Sequence, residues 1–96
     1  MNASAADEPA YIYGPDKVRL DRYANYYLVL EGSEETPLEV ELTITSGEDL
    51  GTLTYDKDHK YYVLHANSKN KLGKIVLSAT YNNKECSKTI EIIPLW

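Results

Sequence analysis

The side chains able to do chemistry are few, and their spacing keeps them apart. The 96-residue chain holds one cysteine, Cys86, and two histidines, His59 and His65. A lone thiol forms neither an internal disulfide nor a metal cluster. In its strand-like setting Cys86 reads as a half-buried small residue. His59 and His65 lie an even number of positions apart and could share a strand face. Zinc asks for about three or four protein ligands, however, and no third one stands at a matching spacing. Glu31, Glu34, Glu35, Glu39 and Glu41 crowd one stretch, and Asp56-Lys57-Asp58 forms another. Calcium favours clustered loop carboxylates, but neither stretch alternates Asp/Asn ligands around a mid-loop glycine. Both read as solvated charge. Nothing resembles a nucleophile elbow or a Gly-rich phosphate loop. The expectation is a non-enzyme with no catalytic residue, no cofactor and no metal site.

Charge narrows the partners. The formal net charge is -5 at pH 7, which disfavours a phosphate backbone. No basic stripe is present to hold an anionic membrane. No apolar run nears the ~18 residues of a membrane-spanning helix. The N-terminus lacks a basic region followed by an apolar one, so no signal peptide is expected. The aromatic content is unusual: there is no Phe, yet there are nine Tyr. Tyrosine combines strand propensity and apolar area with a hydroxyl that needs water or a partner. Most of the nine are expected at the rim of a core.

The elements that must position these residues are strands. Gly73 to Tyr81 alternates with Ile75, Leu77, Ala79 and Tyr81 on one face, and Ile90 and Ile92 continue that face after a turn. Asn82-Asn83 suits a two-residue type I′ loop, because Asn tolerates positive φ. Lys84 to Ile93 is the returning strand. Residues 38–45 alternate most cleanly, with Leu38, Val40, Leu42 and Ile44 against Glu39, Glu41, Thr43 and Thr45, as in a sheet wet on one side. Further strands are expected over 10–13, 17–22, 25–30, 52–55 and 60–65. Gly14-Pro15 splits the first strand into two pieces, as where an edge switches sheets. Residues 1–9 read as a disordered lead or linker and 10–96 as one domain. Asn2-Ala3-Ser4 matches a glycosylation sequon by chance. Seven short strands about ten residues apart predict an all-β, immunoglobulin-like Greek-key sandwich.

In that arrangement the 25–30 strand pairs with the 60–65 strand. Tyr26, Leu28, Tyr62 and Leu64 then face the core, while Tyr27, Val29, Tyr61 and Val63 share the outer face. The other sheet's outer face would carry Glu39, Glu41, Thr43, Ser78, Thr80 and Glu91. This asymmetry makes Tyr27, Val29, Tyr61 and Val63 a candidate interaction surface. The plain alternative is that they stabilise the sheet by cross-strand pairing. The tail Ile93-Pro94-Leu95-Trp96 is apolar, and Leu95 and Trp96 either fold back over the open end of the sandwich, the commoner case, or dock on a partner.

Tyr13-Gly14-Pro15-Asp16-Lys17-Val18, followed by Ala24-Asn25-Tyr26, resembles the opening of bacterial Ig-like domains. So does Tyr62-Val63-Leu64-His65-Ala66, then the run from Gly73 to Lys84, closing on Thr89-Ile90-Glu91-Ile92. The ending Ile92-Ile93-Pro94-Leu95-Trp96 is similar to the close of Ig-like domains at the C-termini of phage structural proteins from Gram-positive hosts. The resemblance implies a non-catalytic accessory module of a virion tail or capsid protein, touching a partner protein or host-surface carbohydrate. The alternative it leaves open is a spacer or carbohydrate-binding domain of a bacterial cell-surface adhesin, located outside the cell.

Overall fold

The expected hairpin forms with the expected bounds. In a computed structural model of the chain, residues 9–96 are described; of the lead expected over 1–9, all but Pro9 lies outside them, as does the Asn2 sequon. Eight strands run through the described residues: β1 Ala10–Tyr13, β2 Lys17–Arg19, β3 Tyr23–Leu30, β4 Thr43–Ser46, β5 Gly51–Asp56, β6 Tyr61–Ala66, β7 Gly73–Tyr81 and β8 Lys84–Ile93. There is no α-helix among them, only a 3-10 turn at Glu48–Leu50. Asn82 and Asn83 join β7 to β8 with φ of 51° and 65°. Two left-handed residues in succession make the I′ turn, whose twist matches that of the flanking strands.

The strands form two four-stranded sheets, ordered β1-β3-β6-β5 and β2-β8-β7-β4. All pairings are antiparallel except that of β2 with β8. One apolar core lies between the sheets. Ile12, Tyr26, Leu28 and Leu64 enter it from the first sheet, and Val18, Ile75, Leu77, Ile90 and Ile92 from the second. Ile75 stands directly opposite Ile90, so the period-two pattern meets across the hairpin. Each such aliphatic side chain stabilises the fold by about 1.5–3 kcal/mol relative to exposure.

The first strand does divide between sheets, so eight strands stand where seven were expected. β1 belongs to one sheet and β2 to the other, with Gly14 at φ 153° between them. β2 ends at Arg19 instead of continuing to 22, because Asp21 takes a left-handed backbone (φ 61°) and turns the chain into β3.

The 38–45 stretch differs more. Its side chains alternate as read: Leu42 is buried, Leu38, Val40 and Ile44 are half-buried, and Glu39, Glu41, Thr43 and Thr45 are exposed. Only Thr43–Ser46 joins a ladder, and a bulge interrupts it after Ile44. Leu38 donates its N–H to the Leu28 carbonyl of the opposite sheet, and Val40 donates back to Leu38. The segment therefore crosses the end of the molecule before it joins β7. Alternation reports which way side chains face; it does not report which backbone they bond.

Candidate functional site

β3 pairs with β6 as expected, with Tyr26 opposite Tyr62, Asn25 opposite Val63 and Tyr23 opposite His65. Alternation then turns Tyr26, Leu28 and Leu64 inward, all fully buried. Tyr27, Tyr61 and Val63 stand on the outer face, half-buried.

Val29 is a correction. It lies on that outer face yet is 0% exposed, so it offers no surface to a partner. The 31–37 loop folds back over it. The Tyr27 hydroxyl donates to the Glu34 carbonyl at 3.2 Å, and the Tyr11 hydroxyl to Glu34 Oε2 at 2.7 Å. Tyr11 sits directly opposite Val29, and Glu31 N–H bonds the Pro9 carbonyl. The loop is thus pinned from both sides of Val29.

In place of Val29, β1 supplies two rings that the candidate set lacked. Tyr13 pairs with Tyr27, and their rings stack at 5.4 Å; Tyr11 and Tyr13 are 6.5 Å apart. Tyr13 is 45% exposed. The spacing of Tyr11 and Tyr13 around inward Ile12 was a legible signal, since period two sends both to the outer face. Tyr13, Tyr27, Tyr61, Asn25, Pro15 and Lys88 line an open trough with a volume of about 830 Å³. The opposite outer face carries a smaller hollow of about 310 Å³, lined by groups such as Glu41, Thr43, Thr45 and Thr80 and by no aromatic ring. Thr43, Thr80 and Glu91 are exposed there, and Ser78, though covered, shares a 3.1 Å hydrogen bond with Thr45.

Both histidines, the cysteine and several carboxylates are engaged in the fold. His65 lies near the end of β6, whereas His59 lies in the turn before that strand, and each has its own partners. His65 stacks on Tyr23 at 4.2 Å and shares a hydrogen bond with Asp21 at 2.9 Å. His59 stacks on Tyr61 at 5.1 Å and shares one with Asp56 at 2.9 Å. That contact, together with the N–H groups of His59 and Asp58, holds the Asp56 carboxyl below its ordinary value despite some desolvation. Asp56 is a turn cap. Lys88, 2.6 Å from Asp16, holds the Asp16 carboxyl below its ordinary value. The Cys86 thiol is half-buried and donates to the Ala10 carbonyl at 3.4 Å. Among the described residues no three His, Cys, Asp or Glu side chains gather to hold a metal. The tail departs from the commoner expectation: Leu95 is half-buried, but Trp96 is 94% exposed and, with Leu20, Asp21, Ser68 and Asn70, borders an open hollow.

The loop pin gives a pH prediction. The Tyr11 bond, then the Gly32 N–H, holds the Glu34 carboxyl below its ordinary value. The same bond is the largest cause that pushes the Tyr11 phenol up to about 12. A lowered carboxyl adds stability above its ordinary pKa and loses it as pH falls through the lowered value. A raised phenol adds stability below its ordinary pKa of about 10 and loses it as pH rises through about 12. Melting temperatures of the parent and Glu34→Gln should therefore differ at pH 7 and converge only as pH falls through the lowered Glu34 value, beneath the ordinary glutamate one. A gap that stays constant with pH would show that the bond is not formed in solution.

No family model, curated protein or solved structure matches the chain.

Proposed function

We propose that the chain is a non-catalytic, immunoglobulin-like interaction module that holds surface carbohydrate on the aromatic outer face of β1, β3 and β6, as an accessory domain of a virion tail or capsid protein. The observation that carries this reading is the contrast between the two outer faces. One presents tyrosine rings around an open trough, and the other presents hydroxyls and charges. Tyrosine rings supply apolar faces and phenol hydroxyls together, the combination suited to a ligand with both kinds of surface.

The strand order supports the immunoglobulin-like part. Lettered A to G along the chain, with β1 and β2 as the two halves of A, the sheets run A-B-E-D and C-F-G with the second half of A beside G. The segments around Gly14-Pro15 and the β7–β8 hairpin resemble bacterial Ig-like domains; the virion setting rests on the resemblance of the closing Ile92-Ile93-Pro94-Leu95-Trp96.

The test is co-sedimentation of the domain with isolated Gram-positive cell walls, beside a Tyr13→Ser/Tyr61→Ser variant. Tyr27 is left intact because its hydroxyl holds the loop. Saturable binding by the parent and at least about tenfold weaker binding by the variant, roughly 1.4 kcal/mol, is the expected result. Equal binding by both would overturn the role of this face, and no binding by the parent would overturn the carbohydrate reading.

A further inference from the structure

We infer that the trough between Tyr13 and Tyr61 is a subsite for an uncharged pyranose chain, and that the charge around it rejects anionic glycans. This rests on the carbohydrate reading above and narrows it. The trough, about 830 Å³, falls within the ~300–1,000 Å³ common for small-ligand sites. A pyranose unit has a C–H face and a rim of hydroxyls. The rings of Tyr13 and Tyr61 meet the first, and their phenol groups meet the second.

Asn25 supplies the fixed polar group. It lies on the outer face beside Tyr27 and is exposed, and its side-chain amide has no hydrogen bond among the described residues. An amide both donates and accepts, so it can serve two neighbouring sugar hydroxyls at once.

Electrostatics sets the ligand's charge. The cation at the trough is Lys88, and Asp16 stands 2.6 Å from its ammonium. That pair leaves no net positive charge to attract an anion. Glu34 and Asp56 border the same face through their contacts with Tyr11 and with the His59 that stacks on Tyr61. The chain as a whole carries -5, so an anionic polymer meets repulsion within the Debye length of about 8 Å at physiological salt. A second copy of the chain meets the same repulsion. An uncharged sugar chain meets none.

The experiment follows Tyr ring and Asn25 amide signals by NMR. The domain is titrated with a panel of uncharged hexasaccharides built from glucose, galactose, mannose or N-acetylglucosamine, and separately with oligogalacturonate at low salt. At least one uncharged oligomer should shift Tyr13, Tyr61 and Asn25 saturably, and oligogalacturonate should not. Asn25→Ala should weaken that binding roughly tenfold with its melting temperature unchanged.

Stronger binding of oligogalacturonate would overturn the charge argument while the carbohydrate reading stood. Failure of the whole panel at millimolar concentration, with wall binding still lost in Tyr13→Ser/Tyr61→Ser, would overturn the pyranose assignment and point to a non-sugar wall component. A dimer seen by sedimentation velocity and abolished by the same pair would assign the face to self-association instead.

Discussion

Tyr26→Ala should destabilise the domain by about 3–5 kcal/mol, the cost of emptying an aromatic site in a core. Tyr26 is fully buried in the middle of β3. Its hydroxyl donates to the Pro15 carbonyl at 2.7 Å, tying the core to the link where the chain leaves one sheet for the other. Burial, and then the nearby Asp16 charge, pushes its phenol well above the ordinary value, so it stays neutral and keeps donating. Tyr26→Phe removes only that bond and should cost about 1 kcal/mol. The gap between the two variants separates packing from tethering. Since small domains hold ~5–15 kcal/mol in total, Tyr26→Ala should approach unfolding at room temperature. Urea midpoints measure all of this; a loss below about 1 kcal/mol for Tyr26→Ala would contradict its place in the core. Gly14 belongs to the same unit. A Cβ there would lie 2.3 Å from Tyr26 Cδ2 and 2.7 Å from the Asn25 carbonyl oxygen, at φ 153°. Gly14→Ala should therefore cost less in a Tyr26→Ala background than alone, a coupling that a double-mutant cycle reads directly.

Gly47→Ala should cost about 3 kcal/mol, from two sources. The backbone there is left-handed, φ 77°, which costs an L-residue ~1–2 kcal/mol. A Cβ would also stand 2.3 Å from the Lys74 carbonyl oxygen and 3.1 Å from Ile75 Cα. Those are backbone atoms of a central strand, and they cannot swing aside as a side-chain tip can. Gly47 hands the chain from β4 in one sheet to β5 in the other, through the 3-10 turn that its own carbonyl closes with Leu50 N–H. Gly32 is the built-in control. Its φ is 91°, yet a Cβ there meets nothing within 4 Å. Gly32→Ala should show the backbone strain alone, about 1–2 kcal/mol. Comparing urea midpoints at unchanged m isolates the clash. Equal losses at the two glycines would mean that β7 yields, and that the sheets are less firmly held together than their shared core implies.

These variants bear on the aromatic face only through the fold. Tyr26 lies beneath it, so its removal should weaken any ligand binding together with stability. The Tyr13, Tyr61 and Asn25 variants change exposed or half-buried groups and should leave melting near that of the parent. The two sets of measurements thereby distinguish a damaged scaffold from a damaged site.

Much of this architecture was legible residue by residue. Alternation alone assigned Ile75, Leu77, Ala79, Ile90 and Ile92 to one buried face, and Asn82-Asn83 named its own turn through its tolerance of positive φ. It also placed Tyr27, Tyr61 and Val63 on a common outer surface. These are local properties, determined by a residue's neighbours one and two positions away. The tertiary structure decided what distant segments do. Val29 has the alternation of an exposed residue and is buried, because Tyr11 and Tyr27 draw Glu34 across it. Tyr11 and Tyr13 join the face because β1 pairs with the open side of β3. Residues 38–42 alternate like a strand but stay off the ladder, because Leu38 bonds the opposite sheet. Trp96, apolar by composition, stays 94% exposed at the edge of a hollow beside Leu20. A period of two tells which way a side chain points. What lies above it, and which backbone runs beside it, depend on contacts between residues far apart in the chain.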